Sequence, residues 1–161
     1  MNYLFCLILI ILLLISLIVV LYKTFTRLYV KEIKNSDRNY KIKSTYNKWL
    51  DFIIEDRSIN SYLVKSNYFD VAIFGYGEIG ELLAKYIMKN KNINLHYVLD
   101  NNAGNLVGDI VPIYKPGKEL LLPEVDLIIV TVAFDGEAIK DTLKKEHRCE
   151  IITFEQLLSR L

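Results

Sequence analysis

At 161 residues the chain has room for about one ordinary domain. A formal net charge of +1 excludes the strongly basic balance of a dedicated nucleic-acid binder, and two cysteines exclude a disulfide-stapled scaffold. Hydrophobic residues make up 52% of the chain, and the excess is concentrated at the N-terminus.

Residues 3–22, YLFCLILIILLLISLIVVLY, carry no charge, no proline and no glycine. A helix of that length spans roughly 30 Å, the thickness of a bilayer's hydrocarbon core. An amphipathic soluble helix would keep a polar face in this window, and none is visible. A cleaved signal peptide needs a basic leader and a small-residue cleavage site, and neither is present. Cys6 lies inside the apolar run, whereas a lipidated cysteine follows it. The expectation is a transmembrane helix over 1–22 whose partner is the lipid bilayer. Lys23, Arg27, Lys31, Lys34, Arg38, Lys41 and Lys43 all follow the span and no basic side chain precedes it. The positive-inside rule then places the remainder in the cytoplasm of a cell-membrane, single-pass protein. Cys149, the only other cysteine, suits that reducing compartment.

A basic linker is expected over 23–39, continuing the helix and breaking near Asn35-Ser36-Asp37. An amphipathic helical segment, 40–69, should follow. Tyr46, Trp49, Leu50, Ile53 and Ile54 recur at i, i+3, i+4, i+7 and i+8, one apolar stripe. Such a stripe packs on the folded domain, on a partner chain or in the lipid headgroup layer, with protein packing favoured. Ser58 reads as the N-cap of a short helix ending near Lys65.

From Asp70 onward strands and helices alternate, and acidic residues outnumber basic ones. Strands are expected at 70–75, 95–100, 109–114, 125–133 and 149–154. Helices are expected from Glu78 to Lys89, from an Asp135 cap to about Glu146, and from Glu155 to Leu161. Ile79, Leu82, Leu83, Tyr86 and Ile87 share one face of the first of these. Pro112 cannot donate to a ladder, so the third strand belongs at an edge. Residues 125–133, apolar almost throughout, belong in the sheet centre. The alternation implies a small α/β domain over 70–161 with a parallel sheet in order 3-2-1-4-5.

Gly75-Tyr76-Gly77-Glu78-Ile79-Gly80 is G-x-G-x-x-G between an expected strand and an expected helix. Gly75 would permit the turn, Gly77 the approach of a pyrophosphate, and Gly80 close packing of helix on strand. The helix N-terminus offers amides and partial positive charge to an anion. Asp100 ends the second strand where a dinucleotide site keeps an acid for the ribose hydroxyls, and its charge would favour NAD over NADP. Asn101 follows it in an Asp-Asn-Asn turn, a composition common in turns without any ligand. Glu78 answers the helix dipole itself and opposes a phosphate. Thr131, Phe134 and Asp135 are candidates to line the cleft. The expected cofactor-binding set is Gly75, Gly77, Glu78, Ile79, Gly80, Asp100, Asn101 and Thr131. His96 and His147 read as structural or solvent-facing, no metal-ligand spacing is visible, and no acid–base pair supports catalysis by this chain alone.

Several stretches, YNKWLDFIIEDRSINSYLVKSNYFDVAIFGYGEIGELL, YVLDNNAG, PEVDLIIVTVAFDGEAI and IITFEQLL, resemble a Rossmann-like domain found in bacterial surface-polysaccharide loci. The pattern is also similar to the nucleotide-binding N-terminal halves of sugar-nucleotide-modifying proteins. The resemblance runs from about Tyr46 to the C-terminus, and the N-terminal span departs from it. It implies the fold, and a nucleotide or nucleotide-sugar ligand such as NAD or a UDP-sugar. It leaves open a homo-oligomer or a glycan-biosynthesis partner. Three functions follow as expectations: a membrane-anchored nucleotide-binding accessory module, an NAD-dependent enzyme acting on a nucleotide-linked sugar with a partner chain, or a structural adaptor with a vestigial site.

Overall fold

The computed structural model describes residues 2–105, 111–117 and 122–161. They fall into two compact units, one up to Tyr40 and one from Lys41 onward.

Helix α1 runs from Asn2 to Ile54. It does not break at Asn35-Ser36-Asp37. Those residues cost only about 0.5–0.7 kcal/mol each relative to alanine, and no glycine or proline precedes Gly75 to interrupt the ladder. Among the described helices it alone is long and apolar enough to cross a membrane. Asp56 ends it, with φ 57° and the Arg57 amide donating to the Phe52 carbonyl. This is a Schellman closure, made without the usual glycine. Helix α2, Ile59–Lys65, starts at Ser58, whose side chain accepts from the Ser61 amide. It closes the same way on Asn67, at φ 59°.

Five parallel strands form one sheet in the order β3-β2-β1-β4-β5. They are β1 (Asp70–Phe74), β2 (Asn94–Leu99), β3 (Ile113–Tyr114), β4 (Leu127–Val130) and β5 (Glu150–Thr153). Helices α3 (Glu78–Ile87), α4 (Gly136–Leu143) and α5 (Phe154–Ser159) follow β1, β4 and β5. Of the strand expected over 109–114, only Ile113 and Tyr114 pair, while 109–110 lie outside the described residues. Pro112 stands just before this edge strand, and its carbonyl accepts from the Val98 amide. Apolar β4 is flanked on both sides, as its composition requires.

Alternation along the strands sorts the core into two faces. Val71, Ile73, Leu127, Ile129 and Ile152 meet the end of α1 together with α2, α3 and α5. Ala72, Phe74, Tyr97, Ile128, Val130 and Ile151 form the other face, where α4 contributes Leu143. In β2 a bulge resets this alternation. Val71 pairs with Leu95 but Ala72 pairs with Tyr97, so His96 is the extra residue. Its Nε2 lies 2.7 Å from Asp70 Oδ1, and the Asn94 side-chain amide, followed by this contact, holds the Asp70 carboxyl below its ordinary value.

The stripe expected on 46–54 is turned from where apolar identity alone places it. Trp49 is buried, edge-on to Tyr86 of α3 at 5.6 Å and to Phe154 of α5 at 5.2 Å. Seating that ring brings Ile42, Thr45, Tyr46 and Phe52 inward. Thr45 is tolerated there because its hydroxyl donates to the Lys41 carbonyl at 3.0 Å. Leu50 and Ile54 point outward, and Ile53, in the last turn, is 45% exposed. Leu82 likewise leaves the expected face of α3 for solvent, while Gly80 and Ala84 are buried on it.

Trp49→Ala should therefore cost about 3–5 kcal/mol. Trp49→Phe should cost markedly less, because the buried indole Nε1 makes no hydrogen bond that phenylalanine would lose. Ile54→Gln should stay within about 0.5 kcal/mol, as surface changes do. Urea unfolding of the detergent-solubilised chain, followed by near-ultraviolet circular dichroism, ranks the three.

Candidate functional site

In the order 3-2-1-4-5 the connections leave β1 and β4 in opposite directions, so a crevice opens beyond the carboxyl ends of these two neighbours. The turn 75–80 occupies that position. Gly75 has φ +98°, a conformation that side chains rarely adopt, and a Cβ there would also lie 2.9 Å from Val132 Cγ2. A Cβ on Gly80 would fall 1.9 Å from the Gly75 carbonyl oxygen. The first turn of α3 thus rests directly on the backbone of the loop. Gly77 differs from both. It is the N-cap of α3, has ordinary extended backbone, and a Cβ added to it would meet nothing within 4 Å.

Two side chains tie the loop to neighbouring strands. Thr131, buried just past β4, donates its hydroxyl to the Gly75 carbonyl at 2.7 Å. Asp100, just past β2, accepts from the Tyr76 amide through Oδ2 at 2.6 Å and from the Asn102 amide through Oδ1 at 2.7 Å. Both carboxylate oxygens are engaged, although each retains a further lone pair. No side chain caps α3, so its first-turn amides point toward the space above Gly77.

The expected residues take different places around this turn. Gly75, Gly77, Glu78, Gly80, Asp100 and Thr131 gather at it. Ile79 sends its side chain into the core, so only its backbone amide faces the loop side. Asn101 is exposed in the turn after β2. Glu78 is exposed in the first turn of α3 beside Glu81, which pairs with Lys85. Burial, and then the charges of Glu78 and Glu81, push the Tyr46 phenol up. The same two carboxylates work against an anion at this helix end. Asp135 holds the N-cap position of α4 but makes no capping bond, because its left-handed backbone, φ 60°, is not the extended one from which a side chain reaches the first turn. That helix ends at Leu143 rather than near Glu146. Phe134 is half-exposed, with Lys41 Nζ 5.6 Å from its ring.

Sequence patterning did not single out two further features. Tyr76 matters through its amide, a role no side-chain identity signals. Thr153 and Gln156 form a capping box that starts α5, and the T-x-x-Q spacing was there to be read. Lys41, Gly136, Glu137 and Glu155 border a recess of about 310 Å³ beside that cap. A wider trough of about 930 Å³ lies elsewhere, among Tyr97, Lys115, Leu122, Leu143 and Cys149. The glycine turn is the better candidate, because convergent amides and absent side chains are what a phosphate requires. No cluster of three metal-ligating side chains occurs among the described residues.

No protein-family model matches this chain, and no curated protein sequence matches it.

Gly80→Ala should destabilise the fold by about 3 kcal/mol or more, since its methyl meets backbone rather than a movable side chain. Gly77→Ala should remain within about 1 kcal/mol of the parent. Thermal melts of the two variants side by side check this contrast.

Proposed function

We propose that this chain is a membrane-anchored nucleotide-binding module with a Rossmann-like domain, its ligand an NAD-type dinucleotide or a nucleotide-sugar. The observation that carries the reading is the open space over Gly77 at the uncapped start of α3, beyond the carboxyl ends of β1 and β4. A pyrophosphate placed there meets amides and no Cβ. Asp100, beside the loop, would take the ribose hydroxyls on its remaining lone pairs. The apolar segment 3–22 supports the anchor, and the basic residues that follow it support a cytoplasmic domain. A role in surface-polysaccharide or other glycan assembly rests on the resemblance of 46–161 to domains from such loci. Lacking an acid–base pair beside the loop, the module acts as an accessory or regulatory subunit, and chemistry on a bound sugar would need residues from a partner chain.

A second reading is favoured by one specific observation. Both Asp100 oxygens already hold backbone amides, and Gly75 and Gly80 are required by packing alone. A structural adaptor with a vestigial site would need the same residues.

Calorimetry on the detergent-solubilised chain with NAD, NADH, NADP and UDP-sugars separates the two. Ligand binding is expected, and Gly77→Val should abolish it while the melting temperature holds. Asp100→Ala should weaken it roughly ten- to a hundredfold, the equivalent of about 1.5–3 kcal/mol in charge-assisted hydrogen bonds, and reduce the discrimination against NADP. Binding that survives Gly77→Val places the site elsewhere, and no binding by any of the four supports the adaptor.

A further inference from the structure

Residues 23–40 are helical and exposed throughout. At about 100° per residue, their side chains separate by chemistry around the helix. Lys23, Arg27, Lys31, Lys34 and Arg38 fall within one arc of roughly 80°. Tyr22, Phe25, Tyr29, Ile33, Ser36 and Tyr40 fall within an arc of similar width on the opposite side. The second arc carries no charge, and its large side chains are 44–77% exposed. Glu32 and Asp37, the only carboxylates of the segment, stand at its two edges. The uncharged stripe continues without changing face into the apolar segment, through Ile18, Ile15 and Ile11.

An aromatic stripe opposite a basic one commonly marks a helix lying in the headgroup layer. Here the helix is unbroken, with no glycine or proline, so 23–40 continue the line of the apolar segment for roughly 27 Å. They cannot also turn to lie flat on the surface from which that segment emerges. The stripe therefore faces water unless protein covers it.

We infer that a second copy of this chain covers it, through a parallel helix pair along Ile11, Ile18, Phe25, Tyr29, Ile33 and Tyr40. Three features select a second copy. A copy anchored in the same membrane brings a matching stripe that begins at the same depth and runs the same length and direction. A two-fold pair sets each residue against its own counterpart, and only a face without charge tolerates that. Packing on this face also leaves the five cations on the two outer sides, as far apart as the pair allows, whereas pairing through any other face brings them together. The parallel alignment rests on the membrane-anchored reading above.

The test is disulfide scanning of the full chain in its native membranes, in a Cys6→Ser, Cys149→Ala background. Oxidation with copper phenanthroline should give dimers of Tyr29→Cys and Ile33→Cys at least tenfold faster than of Arg27→Cys and Lys34→Cys. Equal rates at all four positions would mean random collision and overturn the pairing. Crosslinking at none, with each thiol still reactive to maleimide after solubilisation, would mean that another protein covers the stripe, and overturns it as well. Carbonate washing of the same membranes reports on the anchor separately. Release of the chain defeats anchorage, while the four rates still decide whether the stripe is the paired face.

Discussion

Between Gly80 and the Gly75 carbonyl there is no room for a methyl group, and the geometry of the carboxyl end of the sheet depends on that contact. It sets the distance between the first turn of α3 and the end of β1. The Gly75 carbonyl that Gly80 rests on is also the acceptor for Thr131, so β4 is drawn to the same point. One residue along, the Tyr76 amide is held by Asp100, which brings in the end of β2. Three adjacent strands and one helix thus converge on two consecutive loop residues, Gly75 and Tyr76. Rigidity of this kind suits a proposed site whose selectivity comes from the backbone, since amides hold an anion well only when their directions are fixed.

Among the described residues, the two faces of the sheet are covered unequally. On one side four helical segments meet, with Trp49 wedged between α3 and α5 as the piece that joins the end of α1 to the rest. On the other, among the described residues, α4 contributes buried Leu143 and partly buried Ile139, and a broad trough lies beside Tyr97 and Leu143. The parallel strands themselves are buried on both sides, which is why β1 and β4 read as continuous apolar runs.

Features encoded in short windows were legible in the sequence. Strand order follows from the alternation of elements, the glycine turn from its spacing, and the start of α2 from Ser58. What depended on distant partners was not. The rotation of residues 42–54 is chosen by the pocket between Tyr86 and Phe154, so counting apolar residues favoured Leu50 and Ile54 over Ile42 and the polar Thr45. Asn35-Ser36-Asp37 resembles a helix boundary only if local preference is decisive, and in a helix without glycine or proline the accumulated ladder outweighs it. The employment of Asp100 by an amide 24 residues away has no sequence signature, since the same aspartate in the same turn would serve a ribose equally well. Asp135 illustrates the converse: the right residue type at a cap position, with the wrong backbone to use its side chain.

The bulge at His96 has a consequence for how this strand can change over time. Because one extra residue separates Leu95 from Tyr97, the two ends of β2 obey opposite parities. Were His96 paired in regular alternation instead, Tyr97 and Leu99 would turn to the helix-rich face and Val98 to the other, exchanging bulky aromatic volume for a valine across a packed sheet. Loss of residue 96 itself would only close the ladder, leaving Leu95 opposite Val71 and Tyr97 opposite Ala72, whereas loss of a paired residue beside it would turn part of the strand over. Among descendants of this chain, a shortening by one residue between Asn94 and Asp100 should therefore be found at position 96 rather than elsewhere in the strand.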